Sequence, residues 1–285
     1  MAEKWKGALS KDLPGGRVEI KEPDVEKKGY YKYYLETFYD IPQEKKNLIR
    51  ASVFPKDEGL ELADRSRICE EAAFPAKDGY YPLKGGGVVS VANVKTPDLT
   101  GEMLGWWASW HGLEHLRYAI WDPEDHYGIE VLEGKERLLD ERIPAAERVW
   151  GTHHKIWESM DADPPGQVEM FFYSPWECGF DRSLEGTDRN LYTVCAQGYI
   201  GGVPAFATEM LVKGEDGQNE IRCRFWVGYE RQKDGTFKYK LPFFIKPPKK
   251  IVANLIIHNH REFSRLNQVL PRIYEEYKDK PFDAD

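Results

Sequence analysis

No two cysteines of this 285-residue chain stand in a CxxC spacing. The four present, Cys69, Cys178, Cys195 and Cys223, exclude a zinc ribbon and read as reduced thiols, not a disulfide framework. No apolar run approaches the roughly 18 residues that a membrane span needs. The opening residues, MAEKWKGALSKDLPGG, lack the apolar stretch of a secretory signal. Basic residues are in deficit too: 40 Lys plus Arg stand against 48 Asp plus Glu, a net charge of −8 and the wrong sign for a nucleic-acid surface. There is no internal repeat and no low-complexity tract. These absences predict a cytoplasmic protein with neither nucleic acid nor membrane as partner, long enough for one large domain with a smaller appendage. What the chain has in excess is aromatic: 13% of its residues, with 9 Trp and 16 Tyr, beside seven unevenly placed histidines.

Residues 1–95 are polar and rich in Lys, Glu, Gly and Pro, interrupted by the aromatic knot GYYKYYLETFY at 29–39. They predict a small irregular or helical N-terminal region, its aromatics buried on the main domain or on a partner subunit. Asp98 or Thr100 suits a helix cap with Glu102 in the first turn, so a helix is expected over 101–112. Met103, Trp106, Trp107 and Trp110 form its apolar surface, against the cost of about 1 kcal/mol that each interior glycine carries. After Pro164-Pro165-Gly166 the pattern turns to period two: QVEMFFYSP, NLYTVCAQGYI, PAFATEMLVKG, EIRCRFWVGYERQ and TFKYKLPFF are strand-like. GEDGQ at 214–218 and KDGT at 233–236 read as hairpin turns. Pro247-Pro248 opens a long helix to about Lys278, with an inward stripe of Ile251, Leu255, His258, Glu262, Leu266, Val269 and Ile273. The expected fold class is α+β: a helix-grip (START-like) antiparallel sheet closed by a long C-terminal helix around a cavity. The expected division is an N-terminal packing or dimerisation region over 1–95 and a helix-grip catalytic domain over 96–285.

His258 and Glu262 fall where that stripe should be apolar, one turn apart on one face, close enough to bind one ion. Burying a carboxylate is costly unless it is paired or coordinated. A plain buried His–Glu hydrogen bond satisfies the same pattern, and His260 is expected on another, surface face. The stretch WWASWHGLEHLRYAIWDPEDH at 106–126 contains His111, Glu114 and His115 in the H-x-x-E-H order of inverted zinc proteases, although Gly112 interrupts the helix that motif needs. His126 follows an acidic loop and enters the strand-like YGIEVL. In GTHHKIWESM at 151–160, His153, His154 and Glu158 are ligand candidates, His154 and Glu158 again at i, i+4.

Three of these pieces, RYAIWDPEDH, HHKIWE and HNHREFSRLNQVLPRIY, together resemble the zinc-dependent hydrolases of 2,4-diacetylphloroglucinol and phloretin, over roughly residues 100–275. The resemblance implies Zn²⁺ held by His126, Glu158, His258 and Glu262, with His154 a competitor of Glu158. It implies an active-site tyrosine at Tyr118, with His115 as a pocket residue beside it. A polar amide that the family carries shortly after the first ligand is replaced by Ile129, which bears on acyl or ring specificity. The implied activity is hydrolysis of the carbon–carbon bond between an acyl group and a phenolic ring, the aromatic excess lining a cavity for a flat small-molecule phenolic ketone. A homodimer through the N-terminal region is implied as well. The alternatives are a non-catalytic helix-grip binder of hydrophobic or polyphenolic ligands and a zinc protease built on Glu114.

Overall fold

The period-two runs of the second half form a meander, and the segments ahead of it complete the sheet. The computed structural model describes residues 16–20, 22–38, 40–161, 165–242 and 245–283. The first 15 residues, part of the stretch read above as lacking a leader, lie outside these, as do Tyr39 and Pro164. In chain order come α1 (Tyr31–Leu35), α2 (Gln43–Ala51), β1 (Gly79–Pro82), β2 (Val88–Lys95), α3 (Gly101–Trp110), α4 (His115–Trp121) and β3 (His126–Glu133). Then follow α5 (Lys135–Leu138), β4 (His153–Glu158), β5 (Gly166–Tyr173), β6 (Tyr192–Ile200), β7 (Val203–Lys213) and β8 (Asn219–Val227). The short strands β9 (Tyr229–Arg231) and β10 (Phe237–Tyr239) pair separately, and α6 (Lys249–Tyr277) closes the chain.

Eight strands make one antiparallel sheet in the order β1-β2-β8-β7-β6-β5-β4-β3. GEDGQ and KDGT turn β7 into β8 and β9 into β10. The sheet starts at Gly79, so strands from both sides of residue 95 share it: β2 pairs with β8 from Val88–Val227 to Lys95–Glu220. The N-terminal aromatics Tyr30, Tyr33 and Tyr34 are buried.

Alternation along each strand builds two cores. One face of β7 turns Ala205, Ala207, Glu209 and Leu211 toward α6 and α3, while Phe206 and Met210 join Trp226, Val89 and Val91 on the other. That second face is covered by Leu60, Leu62 and Ile68. Two fully buried arginines of β8 tie this cover down. Arg222 donates to the carbonyls of Ile68 (2.9 Å) and Glu71 (2.8 Å), and Arg224 to that of Phe74 (3.0 Å).

The tryptophan-rich helix forms despite its glycines. The Thr100 side chain accepts from the Met103 N–H at 3.2 Å, which caps α3. Gly105 is where Ala146 crosses: a Cβ there would lie 2.6 Å from the Ala146 Cβ. In α6 the inward stripe is buried from Leu255 to Ile273, but Ile251, expected in it, is 45% exposed. His260, expected at the surface, is 1% exposed. The face it occupies is covered by α2 and the segment before β1, where its Nε2 meets Asp78 Oδ2 at 2.7 Å and its Nδ1 meets Lys45 Nζ at 3.1 Å.

Candidate metal centre and ligand cavity

His126 is the first residue of β3 and pairs with Glu158, the last of β4, so strand register alone brings the two together at one end of the sheet. The α6 helix crosses that end and presents His258 and Glu262 one turn apart. His126 Nε2 lies 3.3 Å from His258 Nε2, 3.7 Å from Glu262 Oε2 and 3.9 Å from Glu158 Oε2. His258 Nε2 lies 3.6 Å from Glu262 Oε2 and 3.9 Å from Glu158 Oε2. All four side chains are buried.

A further layer orients each of them. His126 Nδ1 meets the Tyr118 carbonyl at 3.1 Å; a carbonyl only accepts, so the proton sits on Nδ1 and the Nε2 lone pair faces the cluster. The Tyr118 ring stacks on this imidazole, centroids 4.0 Å apart, and its hydroxyl donates to Glu158 Oε2 at 2.6 Å. Asn259 Nδ2 donates to Glu262 Oε1 at 2.9 Å. His258 Nδ1 faces Asp125 Oδ2 at 3.7 Å and Asp122 Oδ2 at 3.8 Å. Those two aspartates are themselves held by Arg261, at 2.8 Å and 3.2 Å, so they read as supports of His258 and not as a second ion site.

The electrostatics ask for a cation. Burial raises Glu158, and raises Glu262 well above the ordinary carboxylate range. Burial likewise lifts Glu209, on the neighbouring wall, to about 7, with Glu158 adding to the effect and His258 opposing it. For His126, burial first and the neighbouring His258 second push the pKa well down. Burial would also lower His258, but Glu262, Asp125, Glu158 and Asp122 outweigh it and lift the imidazole to about 10. Three carboxylates thus face one apolar space, an arrangement that is costly unless an ion pairs them. Bonds of about 2.0–2.1 Å around zinc put tetrahedral ligand atoms about 3.3–3.4 Å apart, close to the separations here. Two neutral imidazoles and two carboxylates also balance a divalent charge. The residues therefore fit a zinc-type ion.

The cluster sits at one end of a cavity between the inner face of the sheet and α3, α4 and α6, with walls that include Trp107, Trp121, Ile129, Phe172 and Leu266. Of the sequence candidates, Tyr118, His126, Glu158, His258 and Glu262 come together there. His115 stands apart from the cavity: at the start of α4, its Nδ1 accepts the Ile129 N–H at 3.0 Å. The 153–158 segment is a strand, so His154 lies two side-chain repeats from Glu158 and not one helical turn away. The H-x-x-E-H reading fails because α3 ends at Trp110 and Glu114 is extended (φ −149°, ψ 147°) ahead of α4. Glu114 points instead to Lys28, at 2.8 Å, and to the hydroxyl of Tyr30. Sequence reasoning passed over Glu209, although a charge at an inward position of β7 was a readable signal. It also passed over Asn259, Asp122, Asp125 and Arg261 as supports.

Comparison with known proteins bears on this site. The family model described as the DAPG hydrolase PhiG domain matches residues 60–275. The phloretin hydrolase of Eubacterium ramulus is 31% identical over 273 residues, covering 93% of this chain and 96% of that one. A 2,4-diacetylphloroglucinol hydrolase of a Pseudomonas species is 23% identical over 278 residues, 93% of this chain and 94% of that one. Among solved structures, that of Ara h 8.0201 aligns with a TM-score of 0.39 at 14% identity, over 65% of this chain and 97% of that one.

Proposed function

The chain belongs to the DAPG hydrolase PhiG domain family, and from that premise we propose that it is a zinc-dependent hydrolase of ketones. The bond cleaved joins an acyl group to a phloroglucinol-type phenolic ring. The observation that carries this reading is the convergence of His126, His258 and Glu262 within 3.3–3.7 Å, with Glu158 Oε2 3.9 Å from both imidazoles, at the end of an aromatic cavity. Zinc held by these four supplies polarisation of a carbonyl and a water whose pKa is lowered toward about 7.

The chain's own groups do the rest. Burial, reinforced by Glu158, keeps the Tyr118 phenol protonated well above its ordinary range, so its Oη remains a donor at the cluster. A ketone or phenol oxygen arriving there takes a hydrogen bond from Oη in place of, or beside, Glu158 Oε2. The indoles of Trp107 and Trp121 and the apolar wall hold a flat ring and keep bulk water out. Net reaction adds one water: the acyl carbon gains hydroxyl and leaves as a carboxylic acid, and the ring carbon gains hydrogen. His115 has no part in the chemistry on this reading. Sheet and α6 together we take as a helix-grip arrangement that includes β1 and β2, so the packing and dimerisation region is confined to the residues ahead of Gly79, and residues 96–285 carry the four ligands. No helix among the described residues is long and apolar enough to cross a membrane. The four cysteines are free and buried, and we take the setting as cytoplasmic on their reduced state.

Product analysis on a panel of acylphloroglucinols, with and without chelator, tests the proposal. Release of the free acid that stops on chelation is expected. Tight binding without turnover, unchanged in His258→Ala, would instead make the chain a non-catalytic binder. Sedimentation tests the homodimer.

A further inference from the structure

Glu262 uses its two oxygens differently. Oε2 is the one nearest both imidazoles, 3.6 Å from His258 Nε2 and 3.7 Å from His126 Nε2. Oε1 takes the Asn259 Nδ2–H at 2.9 Å, from one turn back along α6. An ionised carboxylate only accepts, so the amide must face it with its nitrogen. That leaves Asn259 Oδ1, which is buried, belongs to the cavity wall and has no partner among the described residues. The bond to Glu262 is thus what this side chain does within the described residues. Asn is also a poor helix former, and this one stands inside α6 away from either cap. Glu158 is held in another way. Its Oε2, nearest the imidazoles, is also the oxygen that accepts from Tyr118, and its Oε1 has no hydrogen bond among the described residues.

The number of oxygens each carboxylate gives decides what such a centre can do. One oxygen from each carboxylate and one nitrogen from each imidazole already make four ligands, and any further oxygen has to enter as a fifth. A carboxylate free to turn can bring its second oxygen to the ion and fill that position itself. We propose that Asn259 prevents this: it keeps Glu262 on the ion through Oε2 alone and so holds a coordination position open toward the cavity. This rests on the metal-centre reading above and assigns a positioning residue within it, one that acts through Glu262. The unpaired Oδ1 fits the same role, since an acceptor on the wall favours an occupant that brings a proton, such as water or a hydroxyl. The expected signs separate this from plain support. Loss of a bond that supports a metal ligand ordinarily weakens metal binding by about 10–100-fold. Loss of this one frees a second oxygen for the ion, so metal binding holds while the open position closes.

The test loads the protein with Co²⁺, whose visible absorption weakens as its coordination number rises, and then titrates acetohydroxamate, a small chelating probe of an open position. Asn259→Leu is expected to bind Co²⁺ at least as tightly as wild type, to absorb more weakly and to hold the probe about ten-fold less tightly. Asn259→Ser, too short to reach Glu262, should do the same and serves if the leucine variant does not fold. Asn259→Gln, whose longer amide still reaches Glu262, should resemble wild type. Co²⁺ bound about 10–100-fold more weakly by the leucine and serine variants would make Asn259 a plain support and overturn the proposal. So would a spectrum and a probe affinity that do not change. Failure of wild type to take up Co²⁺ would instead remove the metal centre itself, and this role with it.

Discussion

Asp125 and Asp122 lie 3.7 Å and 3.8 Å from His258 Nδ1, and Arg261 fixes both. With an ion at Nε2 the imidazole keeps its proton on Nδ1, and that N–H needs an acidic partner to hold the ring in plane. Asp125→Asn is therefore expected to weaken zinc binding by about 10–100-fold, measured by competition with a chromophoric chelator. An unchanged affinity would remove Asp125 from this role. Tyr118 acts at the other side of the cluster. Tyr118→Phe keeps the stack on His126 but loses the donor to Glu158, so zinc content should stay near wild type while kcat falls about 10²-fold. Equal loss of metal and rate would make the tyrosine structural. These roles differ in how readable they were. His258 and Glu262 announced themselves as charges in an apolar stripe. Glu209 carried the same kind of signal on a strand, but no motif accompanied it. Asp122 and Asp125 sit in a loop, where acidic residues are ordinary and only the folded chain shows what they face.

Among the elements, α6 was the most readable because its period persists through the whole helix, whereas β1 has four residues and β4 six, too few for a period to stand out. A His–Glu pair at i, i+4 in β4, His154 and Glu158, looks helical until the strand is known. What the period could not show is that α6 is covered on a second side. Lys45 has only donors, so the contact at His260 Nδ1 makes that atom an acceptor and leaves Nε2–H to donate to Asp78. Burial alone would raise Asp78, but the hydrogen bonds from His260 and Asn93 and the charge of Lys45 win and hold its carboxyl below the ordinary 3.8. The sign follows: a carboxylate depressed in the fold adds stability above about pH 4, lost as pH falls through its lower folded value. Asp78→Asn, which removes the charge but keeps the shape, should melt about 2–4 °C lower than wild type at pH 7. The gap should begin to close as pH falls below the ordinary 3.8 toward the lower folded value of the wild-type carboxyl. A gap that widens in acid would mean that Asp78 is not the titrating group.

On the scale of the molecule, the meander and its closing helix were readable from turns and period, but the completion of the sheet by β1 and β2 was not. The pairing of β2 with β8 joins residues from 125 (Lys95–Glu220) to 139 (Val88–Val227) positions apart, and no local pattern encodes that. The cavity itself is walled by α3, α4, α6 and strands β3 to β8, which lie up to about 160 residues apart in the chain (Leu104 and Leu266). Closing it has a cost: Glu158, Glu209 and Glu262 all line it, with the His258 imidazole raised among them. An ion there binds the folded chain and not the unfolded one, so it stabilises by mass action, about 4 kcal/mol at a thousand times Kd. Chelation should then lower Tm by on the order of 10 °C, read by calorimetry at pH 7. A chelator acting elsewhere would give the same fall, so a second variant decides. Glu209 adds to the repulsion at Glu262, and Glu209→Gln relieves it. In the chelated protein that substitution should raise Tm, while in the zinc-loaded protein, where the ion already offsets the charge, it should leave Tm level or lower it. Equal shifts in both states would mean that the three carboxylates do not share one ion.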